Sequence, residues 1–546
     1  LNLKMEDILN TPLLGEIRDD KIAAREIFYS FMLDSNNHWL GKGSIDKVTI
    51  IVDVANGAFS PIISKLLANF KINFVITNCD PNEGINNRCG VADFEGLDFI
   101  KAEEIIDGIF NGYKTLELIL KKGRENNLNQ FERSELVIGF VFDGDGDRCF
   151  LLAYEPDRDE ILVLGGDVQA FFQGHFLIKN NMCPDRSLFV NTVESDLEVG
   201  RAAKRAGFET EQCSVGDKWI LWEAFFHDWQ AKQKFYDATI TSPEFKDLTD
   251  QTNIKLLNMV DNSKFDALSA TFLILTVEKW VRKNFGEILI KQANNFASEF
   301  QNNFYAIGSE ESGHLVTLSK MDISGYQYPV FIGNSLKCAF NSLAAILGLS
   351  ESKNIQEVFK WLKNPFPSGI QKSLPVYYVD KTLLFEGTDQ RKKLKKKLSE
   401  FKWDNMEVEI VKRHEEPEMI LQKVIKNGSL MATVFIRNSG TEDKISLYLR
   451  GVKELSKKLE ELAENIYPFL FKVFKNKENP MALAEGIVLS NLKDGAKPKS
   501  HLMTDNISEI KLSRLLHVMS SRQKLIIKKG ELWDITKWGL ACLENQ

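Results

Sequence analysis

The chain has 546 residues, 44% hydrophobic and 27% charged, a globular balance that excludes wholesale disorder and leaves room for roughly three to five domains. Lys and Arg total 69 against 76 Asp and Glu, a net charge of -7, so nothing marks a nucleic-acid protein. Seven scattered cysteines without a C-x-x-C pair exclude a disulfide framework or zinc ribbon and point to a reducing, cytoplasmic setting, and no apolar run reaches the ~18 residues of a membrane span.

Residues 1–44 read as a lead-in, with Ile22, Ile27, Phe28, Phe31 and Met32 at the spacing of one amphipathic helix. The chain opens on Leu1 without the basic start and apolar core of a signal peptide. Lys47–Asp53 predicts a buried strand ending in a turn at Ala55–Gly57, and Ile72–Thr77 a second strand one helix later, the rhythm of a parallel βαβ unit. A third apolar strand, Glu135–Phe142, runs straight into Asp143-Gly-Asp-Gly-Asp147-Arg148. These elements predict an α/β domain over 45–184.

Arg186–Thr192 starts a second unit, 185–365, with a helix at Asp196–Ala206 stopped by Gly207. Within it, about 221–306 reads as an aromatic-rich helical insertion, since a structureless loop of that size is uncommon. After the linker Asn364-Pro-Phe-Pro-Ser-Gly369 a third unit, 370–475, holds strand-like Leu374–Val379, a helix near Arg391–Phe401, strands Met431–Ile436 and Lys444–Leu449, and a helix from Lys453. The basic run Arg391–Lys397 reads as one solvated helix face. Residues 476–546 form a mixed C-terminal extension. The expected class is α/β: tandem α/β domains with mixed, mostly parallel sheets, plus a smaller α+β C-terminal domain.

The strongest chemical signal is the loop after the third strand. Asp143, Asp145 and Asp147 alternate with glycines at the carboxyl end of a buried strand, where open α/β sheets place their ligands. Glycine lets the loop turn tightly enough for the oxygens to converge, and hard carboxylate ligands suit Mg²⁺. Arg148 adds a fixed cation for an anionic substrate. An EF-hand would need Gly and Glu where the chain has Arg148 and Tyr154. A haloacid-dehalogenase phosphatase, with Asp143 as nucleophile, would need Thr or Val where Asp147 stands. Arg437-Asn438-Ser439-Gly440-Thr441-Glu442, between two strands, combines Arg, hydroxyls and free amides suited to a phosphate monoester. Gly308-Ser-Glu-Glu-Ser-Gly-His314 offers a carboxylate and a hydroxyl for vicinal sugar hydroxyls, with His314 as a proton carrier. Val215-Gly-Asp217-Lys218 is a turn with one ion-pair possibility.

In chain order these loops resemble those of the α-D-phosphohexomutases, four-domain enzymes with a phosphoserine loop, a metal loop Asp-Gly-Asp-Gly/Ala-Asp-Arg, a sugar loop Gly-Glu-x-Ser-Gly-His and a phosphate loop Arg-x-Ser-Gly-Thr-Glu, of which the last three match at Asp143–Arg148, Gly308–His314 and Arg437–Glu442. The resemblance covers about 45–475. It implies Mg²⁺ on Asp143, Asp145 and Asp147, sugar hydroxyls on Glu310 and Ser312, and phosphate on Arg437, Asn438, Ser439, Gly440 and Thr441. Asp217 and Lys218 would lie near the substrate, with Arg148 and His314 in catalytic roles. Between the adjacent Glu310 and Glu311, the spacing to Ser312 favours Glu310. The implied activity is interconversion of hexose 1- and 6-phosphates through a phosphoserine.

The chain departs from that pattern in three respects. No Ala-Ser-His-Asn-Pro loop occurs, and Ser500-His501 lacks its flanks, so the expectation is a chain without its phosphoserine domain, inactive alone, through truncation or with that domain on a separate chain. A non-catalytic sugar-phosphate-binding relative is the alternative. The family's second Arg after the phosphate loop is replaced by Ser446, and the insertion is far longer than the usual connection. Asp80–Gly90 resembles a stretch of the phosphoglucosamine mutases, whereas Glu311, where they carry Gln, suits glucose or mannose enzymes, which leaves the hexose open. The expected partner is a hexose phosphate, with neither nucleic acid nor membrane, and a homo-oligomer is compatible.

Overall fold

The computed structural model describes residues 20–40, 48–70, 73–128, 136–261, 265–299, 304–323, 326–350, 355–440, 442–503 and 507–544. Three sheets carry the architecture. The first contains β1 (Val48–Asp53), β2 (Phe74–Thr77), β3 (Phe99–Lys101), β4 (Leu136–Phe142), β5 (Cys149–Glu155) and β6 (Glu160–Leu164) in the order β2-β1-β4-β5-β6-β3. Parallel pairing is confined to β2-β1-β4, and the other pairs are antiparallel. The reason lies in the acidic loop: Asp143–Arg148 is too short for a crossover, so β5 returns beside β4. β4 is buried along its whole length, as its unbroken apolar sequence requires.

The second sheet contains β7 (Leu188–Thr192), β8 (Glu209–Cys213), β9 (Tyr305–Ser309), β10 (Leu315–Ile323) and β11 (Tyr326–Gly333) in the order β11-β10-β9-β7-β8, again parallel only around β7. Both sheets are therefore mixed, with parallel pairing less prevalent than the sequence suggests. The helix Leu197–Ala206 starts where the Asp196 carboxylate accepts the Glu198 amide at 2.9 Å and ends at Gly207 with φ 109°. Four helices, Asp217–Thr239, Pro243–Asp261, Ala267–Phe285 and Glu287–Glu299, fill the long connection from β8 to β9. Trp219, Trp229, Tyr236 and Phe245 form their core, which continues onto Val190 and Tyr305 of the sheet. The helical segment begins at Asp217, so Val215–Lys218 is a helix start as well as a turn.

The first two sheets are not independently packed. The helix Gly166–Lys179 meets Ser335–Ser350 through Phe172 and Phe340, and Gln173 donates to Ser342 at 2.8 Å, inside one continuous core that spans the expected boundary at 184. That core also takes Tyr29, Phe31 and Met32 of the helix Lys21–Leu33.

The third sheet is wholly antiparallel: β12 (Ile370–Tyr377), β13 (Glu407–Val411), β14 (Ile420–Lys426), β15 (Ser429–Asn438) and β16 (Lys444–Gly451), in the order β12-β16-β15-β14-β13. The helix Ser456–Phe474 covers it, and the C-terminal residues pack into the same core through Val488, Leu515 and Trp538. They add the small sheet β17 (Lys497–Pro498), β18 (Ile526–Lys529) and β19 (Leu532–Ile535). The C-terminal extension is thus part of the third unit's core. Lys475, nearly covered, and the fully buried Glu485 are ion-paired across this junction. The basic run is only partly a solvated face. Arg391 is 5% exposed and donates to the carbonyls of Leu384, Pro417 and Glu418, pinning the helix Asp389–Glu400 to the sheet edge.

Candidate functional site

The acidic loop is held from within. Asp143, 4% exposed, accepts the amides of Gly146, Asp147 and Arg148 on Oδ1 at 3.1–3.2 Å and Arg148 Nε on Oδ2 at 2.7 Å. Gly146 turns at φ 83°, and its carbonyl accepts Ser335 Oγ at 2.6 Å. The loop backbone also sits against Gly57, where an added Cβ would lie 2.1 Å from the Gly144 carbonyl oxygen. One oxygen each from Asp143, Asp145 and Asp147 lie within 4.8 Å of one another. Three hard oxygen donors on a glycine-hinged loop fit a Mg²⁺ ion.

The sugar loop meets this loop directly. Arg148 and His314 form an antiparallel bridge, and the Cys149 amide donates to Gly313 O at 3.1 Å. His314 Nε2 stands 3.3 Å from Asp147 Oδ1, while Nδ1 is 2.9 Å from Glu310 Oε2. Ser312 Oγ donates to the same Glu310 oxygen at 2.9 Å, and the Gly216 amide donates to the other at 3.1 Å. Burial disfavours the His314 charge, but bonds to Asp147 and Glu310 overcome it and push its pKa up to about 10. Burial likewise works against the Glu310 charge, yet His314, Ser312 and Gly216 hold its pKa below the ordinary carboxylate value. Hydrogen bonding to His314 depresses Asp147, whereas burial lifts Asp143.

The two adjacent glutamates diverge. Glu310 faces Ser312 and His314, and the Glu311 carboxyl turns inward, where Oε2 is 3.4 Å from the Asp167 amide. Burial and the Asp167 charge raise Glu311 well above its usual range, and burial lifts Asp167 to about 6. Asp217 brings an oxygen within 4.8 Å of the Asp147 and His314 ligand atoms. Lys218 does not join them: its ammonium lies over the Trp219 ring, 4.7 Å from the centroid.

At the Arg437–Glu442 loop, Arg437, next to last in β15, lies between two carboxylates, Glu194 at 3.3 Å and Glu416 at 3.0 Å. Asn438 Nδ2 donates to Lys381 O at 3.3 Å, and Ser439 Oγ accepts the Glu442 amide at 3.2 Å. Gly440 has open space around its α-carbon, and Thr441 lies outside the described residues. Ser446, in place of the second Arg, stands opposite Arg437 on β16. Two cations beyond the motif lie at this loop: Lys381 Nζ donates to the carbonyls of Ser439 and Glu442 at 3.2 and 3.3 Å, and Arg522, from the C-terminal residues, pairs with Glu442 at 2.9 Å.

Glu95 links the loops electrostatically. Its carboxylate accepts Arg148 NH1 at 2.7 Å; burial raises its pKa, Arg148 opposes this, and the charges of Glu310 and Glu194 add to it. Glu194 in turn holds Arg437, so the metal, sugar and phosphate loops share one electrostatic neighbourhood. Glu95, Glu194, Glu416, Lys381 and Arg522 escape sequence reasoning because none sits in a patterned loop. Ser500 and His501 are exposed on the turn Lys499–Leu502, and no contact ties them to the acidic loop among the described residues. All seven cysteines are free thiols, and no described helix is long and apolar enough to cross a membrane.

No family model matches the chain. The phosphoglucosamine mutase of Lactobacillus helveticus (strain DPC 4571) is 26% identical over 184 residues, 34% of this chain and 33% of that one. That of Latilactobacillus sakei subsp. sakei (strain 23K) is 28% identical over 180 residues, 33% of this chain and 32% of that one. The match thus spans about a third of the length of these curated relatives. Among solved structures, a phosphoglucomutase/phosphomannomutase family protein from Burkholderia thailandensis aligns with TM-score 0.41 at 13% identity, over 82% of this chain and 64% of that one. Aspergillus fumigatus N-acetylphosphoglucosamine mutase in complex with GlcNAc-6P and magnesium aligns with TM-score 0.41 at 12% identity, over 85% and 72%. The acidic loop, Gly308–His314 and Arg437–Glu442 stand in the order of the α-D-phosphohexomutase loops, and over about a third of its length the chain is similar in sequence to phosphoglucosamine mutases of that superfamily.

Proposed function

We propose that this chain is the metal-, sugar- and phosphate-binding part of a phosphohexomutase. The observation that carries the reading is the continuous contact from Asp147 through His314 to Glu310 and Ser312, which joins the metal loop to the sugar loop. Asp143, Asp145 and Asp147 would hold Mg²⁺, which supplies charge neutralisation for a transferring phosphoryl group. Glu310 and Ser312 would bind two adjacent hydroxyls of a hexose, with His314 placed to give and recover a proton at the sugar oxygen. Arg437, Asn438, Ser439, Gly440 and Thr441 would grip the far phosphate, with Lys381 fixing the loop backbone, and Arg148 would face the phosphoryl group being transferred. Asp217, beside Asp147 and His314, and Lys218 after it would lie near the substrate.

Residues 1–546 contain no counterpart of the family's phosphoserine loop, so this chain alone is expected to bind hexose phosphates without interconverting them. Calorimetric titration of glucose 6-phosphate and glucosamine 6-phosphate into the Mg²⁺-loaded chain tests the reading and compares the two hexoses. Arg437→Ala should weaken binding by roughly 10–100-fold, the worth of a hydrogen-bonded charge. Binding that Arg437→Ala and Glu310→Gln both leave unchanged refutes the site, and clear turnover of glucose 1-phosphate refutes the absence of a phosphoryl donor.

A further inference from the structure

The helix Leu197–Ala206 and the β14–β15 hairpin enclose a cleft of about 530 Å³, none of whose lining residues belongs to the four loops described above. Arg201, Lys204 and Arg205 fall on one face of that helix at three- and four-residue spacing, and Lys423 of β14 lines the facing wall. Glu198 lies 3.3 Å from Arg201 and 3.7 Å from Arg205, and the charges of Glu409 and Glu211 act on Lys423 from farther off. Lys204 and Lys423 have no ion pair among the described residues.

The floor is polar and unsatisfied. Asn191 of β7 is 1% exposed, yet neither its Oδ1 nor its Nδ2 has a hydrogen-bond partner among the described residues, and the buried Gln212 Oε1 is likewise unpartnered. A buried side-chain amide with both ends empty is rare in a folded protein unless something else fills its bonds. Gly200 leaves the helix surface open directly above it, since an added Cβ would come to 3.6 Å from Asn191 Oδ1. A leucine wall, Leu197 and Leu430, completes a lining of mixed character. The volume lies within the roughly 300–1,000 Å³ of small-molecule sites.

We propose that this cleft is a second ligand site, for a phosphorylated small molecule whose phosphate is held by Lys204, Lys423, Arg201 and Arg205 and whose hydroxyl- or amide-bearing body fills the bonds of Asn191. Such a ligand touches two units at once, because Lys423 and Leu430 belong to the third sheet and the remaining groups to the second. Strand β15 begins at Ser429 on this cleft and ends at Asn438 in the phosphate loop, so an occupant would grip one end of the strand that carries Arg437 at the other.

Inorganic pyrophosphate, titrated calorimetrically into the full chain with EDTA present, is the probe. Arg437→Ala silences the phosphate loop, and on that background one pyrophosphate should still bind. Adding Lys204→Ala and Lys423→Ala should then weaken it at least tenfold. Lys204 is exposed and Lys423 half-buried, so the fold should tolerate both changes; Lys204→Ala alone should give a smaller loss of the same sign should the combined variant melt early. Loss of all binding in Arg437→Ala, or pyrophosphate affinity unchanged by the lysine substitutions, overturns the proposal.

Discussion

The buried carboxyl pair behind the sugar loop provides a quantitative test of the packing. Asp167, 1% exposed in the first turn of the helix Gly166–Lys179, accepts the Asp196 amide on Oδ2 at 2.7 Å and faces the inward-turned Glu311. Burial lifts its pKa from 3.8 to about 6. Between those values the unfolded chain releases the proton while the folded chain keeps it. This contribution to stability is fully present below pH 3.8 and is lost as pH rises through about 6. At about 1.4 kcal/mol per unit, the loss is roughly 3 kcal/mol. Asp167→Asn keeps the oxygen that accepts the Asp196 amide and replaces the titrating group with one that carries no charge at any pH in the window. The stability of the variant relative to the parent should therefore rise by roughly 3 kcal/mol from acid to neutral pH. Read by calorimetric melting, that is a growing gap of roughly 6–12 °C for a cooperative unit of 150–250 residues. A gap that stays flat across the window would refute the claim that Asp167 folds protonated.

Two further substitutions test the loop and the C-terminal junction. Gly57→Ala places a Cβ 2.1 Å from the Gly144 carbonyl oxygen and must push the acidic loop aside, so Mg²⁺ affinity, measured by calorimetry, should fall at least tenfold; unchanged affinity would mean the loop shape is not set by this contact. Lys475→Met leaves the fully buried Glu485 without its cation and should cost about 3–5 kcal/mol in urea unfolding, while Lys475→Met with Glu485→Leu should recover most of it. Equal destabilisation in the single and double variants would count against a paired junction.

What was legible in the sequence was whatever is local. Asp143, Asp145 and Asp147 act through a loop six residues long, and Asp196 and Gly207 cap a helix between them, so spacing alone reveals both. Pairing direction was not legible, because an apolar strand such as β5 reads the same beside either kind of neighbour. The continuous core across residue 184 and the docking of the C-terminal residues were hidden for a related reason: amphipathic periodicity says that a face is buried, not against what. Arg391 shows the limit from the polar side. Lys392, Lys393, Lys395 and Lys396 of the run are solvated, and only the tertiary approach of the Pro417 and Glu418 carbonyls makes this one cation a buried clamp. Glu95, Glu194 and Glu416 come from separate segments and acquire meaning only when the units face one another.

These three carboxylates give the cleft a regular charge logic. Arg148 sits between Asp143 and Glu95, His314 between Asp147 and Glu310, and Arg437 between Glu194 and Glu416. Burying a cation is unfavourable unless it is paired, and this arrangement keeps each one paired in the free protein. An arriving phosphate must therefore displace carboxylates as well as water. Burial already lifts the Glu416 pKa, and the Arg437 charge is the main influence holding it down. Once phosphate takes Arg437, Glu416 loses that restraint and its pKa rises further, so binding should draw a proton from solution. Titrations of hexose 6-phosphate in two buffers of different ionisation enthalpy should then give different apparent heats at neutral pH, and Glu416→Gln should abolish the difference. Identical heats in both buffers with the parent chain would mean that Glu416 stays ionised, and that phosphate joins Arg437 without displacing it.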